Sequence, residues 1–284
     1  MSSELAKLFG KQFLVGYLTP LIVIIAVHYL NHAFVRTWVD SVILPLTVDT
    51  IATASLIAVV ISIVLLAVNM TFIRLAEGYY AESLLTPFRN IQLDRFDRLA
   101  ISIARFRENA KKGEPSSGAV AQYSKNIEAL STDFPSLREH VLAFKLGNII
   151  RSFESYSGTK YGVDAIPGWS RLEMVAKTED LQAVSDARTQ FDFFFNLHFL
   201  GTASALALLT TTDLRSWQIV WDLVILFIFG WPVRWAMHQA ARNWGSYVKA
   251  CFDVNVPKIQ EMMDAAMKVT PEKGIATSQW WLFR

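Results

Sequence analysis

The sequence predicts an all-α integral membrane protein with four transmembrane helices and a cytoplasmic helical domain. Three observations predict it: four long apolar runs, a one-sided distribution of Lys and Arg, and helical periodicity between the second and third runs. Only 18% of the 284 residues are charged and 52% are hydrophobic, against about 25% charged in soluble domains. The single cysteine, Cys251, excludes an intrachain disulfide.

Phe13–Leu30 is 18 residues without a formal charge, Ile51–Ile73 is 23 and Phe193–Thr212 is 20. At about 1.5 Å rise per residue, roughly 20 residues match a hydrocarbon core of about 30 Å. The fourth run, Trp217–Ala241, is interrupted by Asp222, Arg234 and His238, but its centre is strongly apolar and aromatic. The first run is too long for the apolar region of a cleaved signal peptide, so it reads as a retained span. Pro20 and Pro232 are expected to kink the first and fourth spans, which membrane helices tolerate.

Of the 27 Lys and Arg residues, 16 lie in Arg74–Arg188 and seven from Arg234 onward, whereas the two short connections carry one each, Arg36 and Arg215. Positively charged segments stay in the cytoplasm. The expected arrangement is therefore multi-pass, with the N- and C-termini cytoplasmic. The division follows: 1–76 an N-terminal segment and first transmembrane hairpin, 77–187 a cytoplasmic helical domain, 188–250 the second hairpin, and 251–284 a C-terminal helix with an aromatic tail.

In the cytoplasmic segment, Leu93, Phe96, Leu99, Ala100, Ile103 and Phe106 mark one helical face. Lys111–Gly118 reads as a loop. Ser136-Leu-Arg-Glu139 has the form of a capping box opening a second long helix, with Leu142, Leu146, Ile149, Ile150 and Phe153 on its stripe. Tyr161–Trp169 reads as a turn or loop, with helix resuming at Leu172. The last helix is expected to run from about Thr178 into the third span, and the fourth span to continue inward to Cys251. The connection Asn31–Thr50 reads either as a helix on the outer surface or as a short re-entrant helix. Pro257–Val269 is expected to be an amphipathic helix, and Trp280-Trp281-Leu282-Phe283 an apolar docking tail.

Polar groups within spans are costly and therefore candidates for function. The pore or gating candidates are Asn69, Arg74, Glu77, Asp192, Asn196 and His198. Asn69 and Asn196 fall at similar depth, so an Asn–Asn or Asn–His contact between spans two and three is expected. Such a contact serves equally as helix-to-helix glue. No motif of a catalytic, nucleotide-binding or metal-binding site is present, and neither enzymatic activity, a cofactor nor a metal is expected. The basic cluster from Arg89 to Lys112 suits anionic lipid headgroups or the phosphates of a nucleotide ligand.

Two stretches, Asn69–Tyr80 (NMTFIRLAEGYY) and Leu146–Leu172 (LGNIIRSFESYSGTKYGVDAIPGWSRL), resemble a group of bacterial multi-pass membrane proteins of unassigned function. The general layout resembles channel-forming membrane effectors of anti-phage defence of the Hailong type. That resemblance implies a homo-oligomeric ion channel that depolarises the membrane, controlled by a nucleotide or oligonucleotide signal or by a cytoplasmic regulatory protein. The resemblance also implies a bacterial inner (plasma) membrane as the location. The charged and polar residues of the two matching stretches are Asn69, Arg74 and Glu77 in the first and Arg151, Glu154, Tyr161 and Asp164, a cytoplasmic motif, in the second; an ion-pair network that fixes the cytoplasmic domain beneath the membrane is an equal reading of them. The alternative expectation is a membrane-anchored scaffold or sensor that recruits a cytoplasmic partner. A membrane enzyme acting on lipid-like substrates fits least.

Overall fold

A computed structural model describes residues 10–31, 37, 40, 48–80, 82–113, 115–210, 212 and 217–269. The surface or re-entrant helix expected in Asn31–Thr50 and the tail Trp280–Phe283 lie largely or wholly outside the described residues. So do the side chains of most of the amphipathic segment Pro257–Val269. The described residues are helical, without strands. The helices are α1 (Lys11–Phe13), a π-helical segment (Leu14–Leu18), α2 (Thr19–Asn31), α3 (Val48–Glu77), α4 (Glu82–Ala110) and α5 (Ser117–Asp133). They continue with α6 (Lys145–Glu154), α7 (Tyr156–Tyr161), α8 (Ala165–Val175), α9 (Thr178–Leu209), α10 (Gln218–Gly230) and α11 (Pro232–Val269). Four segments are long and apolar enough to cross a membrane: Lys11–Leu30, Ala52–Glu77, Thr178–Leu209 and Gln218–Lys258.

The chain divides into two compact units, Met1–Leu75 with Ser185–Trp244, and Ala76–Val184 with Gly245–Arg284. Helices α3, α9 and α11 each carry residues of both units.

In the first unit, Ile24, Leu197, Ala205, Ile225 and Phe229 form the apolar core. Gly201 is small for a reason: a Cβ there would sit 2.5 Å from the Phe229 ring. Other apolar side chains of α3 and α10, among them Val60, Val64, Phe227 and Ile228, are exposed, as suits helices that meet lipid or another helix. The helix is irregular beside both prolines, in different forms. Pro20 follows the π-helical segment, in which the Thr19 N–H bonds back to the Leu14 carbonyl. α10 ends at Gly230, Trp231 follows it, and α11 begins with Pro232, a first helical position that suits a residue without an N–H.

In the second unit, Phe96 on α4, Phe134 and Val141 make a core with Leu93, Leu99, Ala100 and Leu130. Two expectations are corrected here. Ser136–Glu139 does not open a helix: Arg138–His140 is a single 3₁₀ turn, and the helix starts only at Lys145. The backbone groups that a helix would use are taken by side chains. Arg89 donates to the carbonyls of Val141 (2.8 Å) and Glu139 (2.9 Å). Asn148 accepts from the Leu142 N–H and donates to its carbonyl. The second correction is that helix resumes at Ala165 rather than Leu172. Pro167 falls in the first turn of α8, where its missing N–H costs nothing. The second long helix is α5, capped by Ser116, whose Oγ accepts from the Ala119 N–H.

Candidate functional site

The strongest concentration of buried polarity in the first unit gathers on Asp192, a fully buried residue of α9. Asn69 of α3 donates from Nδ2 to the Asp192 carboxylate (3.2 Å) and to the Tyr17 hydroxyl (2.9 Å). The Tyr17 hydroxyl in turn donates to Asp192 at 3.4 Å. One turn before Asp192, Arg188 holds its guanidinium 3.9 Å from the carboxylate and over the Trp244 ring, 5.5 Å from its centroid. Three candidate spans therefore meet at one carboxylate. Tyr17 and Asn69 are each no more than 2% exposed, so neither bond competes with bulk water. The Asn69 Oδ1 is buried without a hydrogen-bond partner.

The irregular start of the first span builds this site. A proline at position 20 has no N–H to offer the Gly16 carbonyl four residues back. The Asn196 amide fills that role and donates to the Gly16 carbonyl at 2.8 Å. Gly16 also sits against Asp192; a Cβ at Gly16 would lie 3.3 Å from that of Asp192. The π-helical segment contains both Gly16 and Tyr17, and such segments are frequent at functional sites.

The expected contact between Asn69 and Asn196 or His198 is replaced by three separate ones. Asn69 meets Asp192. Asn196 reaches Gly16. His198 places Nδ1 2.7 Å from the Phe229 carbonyl, and because a carbonyl only accepts, Nδ1 is the donor. That carbonyl lies in the last turn of α10, whose final carbonyls have no partner within the helix, so His198 caps the end of α10. Of the remaining candidates, Arg74 is half-buried near the end of α3. Glu77 is buried and its backbone lies against Gly147, where any Cβ would collide with the Glu77 carbonyl. The two stretches of sequence that carry the resemblance thus touch at Glu77 and Gly147.

In the second unit, Arg151 and Glu154 form an ion pair at 3.5 Å. Tyr161 is drawn away from them to Asp253 on α11, donating to its carboxylate at 2.6 Å. Asp253 also accepts from Tyr156 (2.9 Å) and from Lys160 (3.1 Å). Lys160, bonded first to the Tyr156 hydroxyl, is held above the usual ammonium range. The Tyr161 phenol is raised as well, because Asp253 accepts its proton. Asp164 accepts the Gly168 N–H at its backbone carbonyl, 2.9 Å, at the start of α8. Tyr17, Gly16, Arg188 and Asp253 had not stood out in the sequence. The signal for Gly16 was available in Pro20; nothing in the local sequence marks Asp253.

Among the described residues no group of three His, Cys, Asp or Glu side chains could hold a metal ion. No protein-family model matches the chain, and no curated protein or solved structure is significantly similar to it.

Proposed function

We propose that this chain is one subunit of an oligomeric, ion-conducting protein of a bacterial plasma membrane, with the second unit acting as a cytoplasmic gate. One observation carries the reading: the Asp192 carboxylate is fully buried within a candidate span and is shared by two others. A helix that only anchors a protein needs no such group, and ionisable residues at membrane depth mark ion pathways and relays. A closed ring of copies surrounds a hydrated pathway with more spans than the four of one chain. The exposed apolar side chains of α3 and α10 offer surface for such contacts. Gating is supported by α3, α9 and α11, each of which has residues in both units. Depolarisation of the host membrane in anti-phage defence is the output that the resemblance implies for such a channel.

The test is cation flux from liposomes holding the full chain under an imposed potassium gradient. Wild-type protein is expected to pass cations, and Asp192→Asn to change the rate by about tenfold, the effect of about 1.4 kcal/mol on a barrier. Absence of flux from both proteins, with insertion verified, overturns the proposal. A second reading, a membrane-anchored scaffold, is favoured by the exposed apolar residues Leu84, Phe88 and Ile91 on one face of α4. In that case charged replacements there abolish partner recruitment and leave flux at the level of empty liposomes.

A further inference from the structure

The second unit contains a cleft of about 550 Å³ whose lining includes Gly78, Thr86, Arg89, Glu139, His140 and Arg151. Three features make it suited to an oxyanion. First, Arg89 is fixed in place: its Nε and Nη2 are bound to the carbonyls of Val141 and Glu139, and Nη1 takes part in neither bond. A guanidinium locked in this way has little rotamer entropy left to lose on binding. Second, Arg151 lies on the same cleft, with only a long 3.5 Å contact to Glu154. Third, His140 Nδ1 is buried and has no hydrogen-bond partner. A buried ring nitrogen without a partner costs free energy, which a turn of the imidazole toward an acceptor bound in the cleft would relieve. Among the described lining residues Glu139 is the one carboxylate, and it opposes an anion.

The place of the cleft in the chain narrows the ligand. Its first lining residue, Gly78, directly follows Glu77, the last residue of the candidate span Ala52–Glu77. Gly78 turns the chain there with φ of +89°, a conformation that glycine adopts without a Cβ penalty. A group one residue beyond a span lies at headgroup depth. Leu84 and Phe88, on the helix that supplies Thr86 and Arg89, are exposed, as suits side chains beside acyl chains. We propose that this cleft binds the phosphate of an anionic phospholipid headgroup. The proposal rests on the membrane reading but not on ion conduction.

The experiment uses the full chain in dodecyl maltoside micelles and reads its thermal midpoint as phosphatidylglycerol, phosphatidylcholine or inorganic phosphate is added. Phosphatidylglycerol is expected to raise the midpoint by several degrees and phosphatidylcholine by far less. Arg151→Gln and His140→Gln should each lose most of the rise. Glu139→Gln, which removes the opposing charge and no donor, should bind at several-fold lower lipid concentration and guards against variants that fail to fold. A rise undiminished in both Arg151→Gln and His140→Gln overturns the site. A rise matched by inorganic phosphate alone overturns the lipid as its source. Resistance of the reconstituted chain to alkaline extraction tests the membrane reading separately, so the two failures are distinguishable.

Discussion

The two units contain the same chemical arrangement in opposite surroundings. In the first, Tyr17 donates to Asp192 with Arg188 as the nearby cation. In the second, Tyr161 donates to Asp253 with Lys160 as the cation. The exposed version has the shorter bonds, 2.6 Å from the phenol and 3.1 Å from the ammonium, against 3.4 and 3.9 Å in the buried one. Yet the buried version has more at stake. Asp192 is 0% exposed whereas the Asp253 side chain is 38% exposed, so water replaces any partner Asp253 loses and none that Asp192 loses. Bond length and consequence are thus uncoupled. What matters is the cost of leaving a group unpaired.

The largest effect expected from this contrast is on the carboxylates themselves. Asp192→Ala takes the acceptor from the Tyr17 hydroxyl, leaves the Asn69 amide with that hydroxyl alone and removes the carboxylate beside Arg188; losing hydrogen bonds to a buried charged group costs about 2–3 kcal/mol. Asp253→Ala should cost roughly a fifth of that, because exposed ion pairs contribute little. Thermal midpoints of the two variants in the same detergent check this. Equal losses would show that Asp192 is better hydrated than its burial implies.

The phenols come next. Tyr17→Phe leaves the Asn69 amide with one of its two acceptors and should cost about 1 kcal/mol, within the range for hydrogen bonds between membrane helices. Tyr161→Phe leaves Asp253 with Tyr156 and Lys160, and its midpoint should fall within a degree or so of wild type. A double-mutant cycle of Tyr17→Phe with Asp192→Asn should show coupling, as neighbours in one network do. Additive losses would mean that the 3.4 Å contact carries no energy.

The glycines give a smaller and more local contrast. Gly16→Ala must push its Cβ against Asp192 at 3.3 Å, which overpacks the buried cluster by about 1–2 kcal/mol. Gly162 ends α7 with φ of +69° in open space. Gly162→Ala should therefore cost only the left-handed strain of about 1 kcal/mol, and Gly162→Asn less still. Comparing the three midpoints separates a packing constraint from a backbone one.

The difference between the units also explains what the sequence made legible. Long apolar runs are read directly, because crossing a bilayer takes about 20 such residues, and all four recur in helices long and apolar enough to do so. The continuation of the third and fourth spans through Thr178 and Cys251 was legible from the absence of breakers. Asp192 and Asn69 were visible as rare polar residues in apolar surroundings. Their partners were not, since Tyr17 is an ordinary residue in a span until tertiary packing brings a carboxylate to it. The segment Ser136–Phe144 misled for a similar reason. Its capping pattern is a local signal, and it was overridden by Arg89 and Asn148, residues that local pattern does not connect to it. Asp253 stood among other charges on a helix facing water, where one carboxylate is no more conspicuous than the next.

The smallest effect is on pH dependence, and it involves three groups of the second unit. The Tyr161 phenol is raised, chiefly because Asp253 accepts its hydroxyl, and Lys160 is raised by its bond to Tyr156. A group raised in the folded state gives its full stabilisation below its ordinary pKa, about 10 for both types, and loses it as pH rises through the raised value. Asp97, held low by the two hydrogen bonds from Arg138, has the opposite sign. Its contribution is full above the ordinary carboxylate value of about 4 and fades as pH falls through the lowered one. Stability owed to these three groups should therefore be flat from about pH 5 to 9 and fall on both sides. Tyr161→Phe should flatten the alkaline fall and Asp97→Asn the acid one. Phenolate absorbance near 295 nm checks the first directly, because the latest-titrating exposed phenol should vanish in Tyr161→Phe. If the late-titrating component persists in Tyr161→Phe, Asp253 is turned toward Lys160 and water, and the exposed cluster is a plain ion pair rather than a counterpart of the buried one.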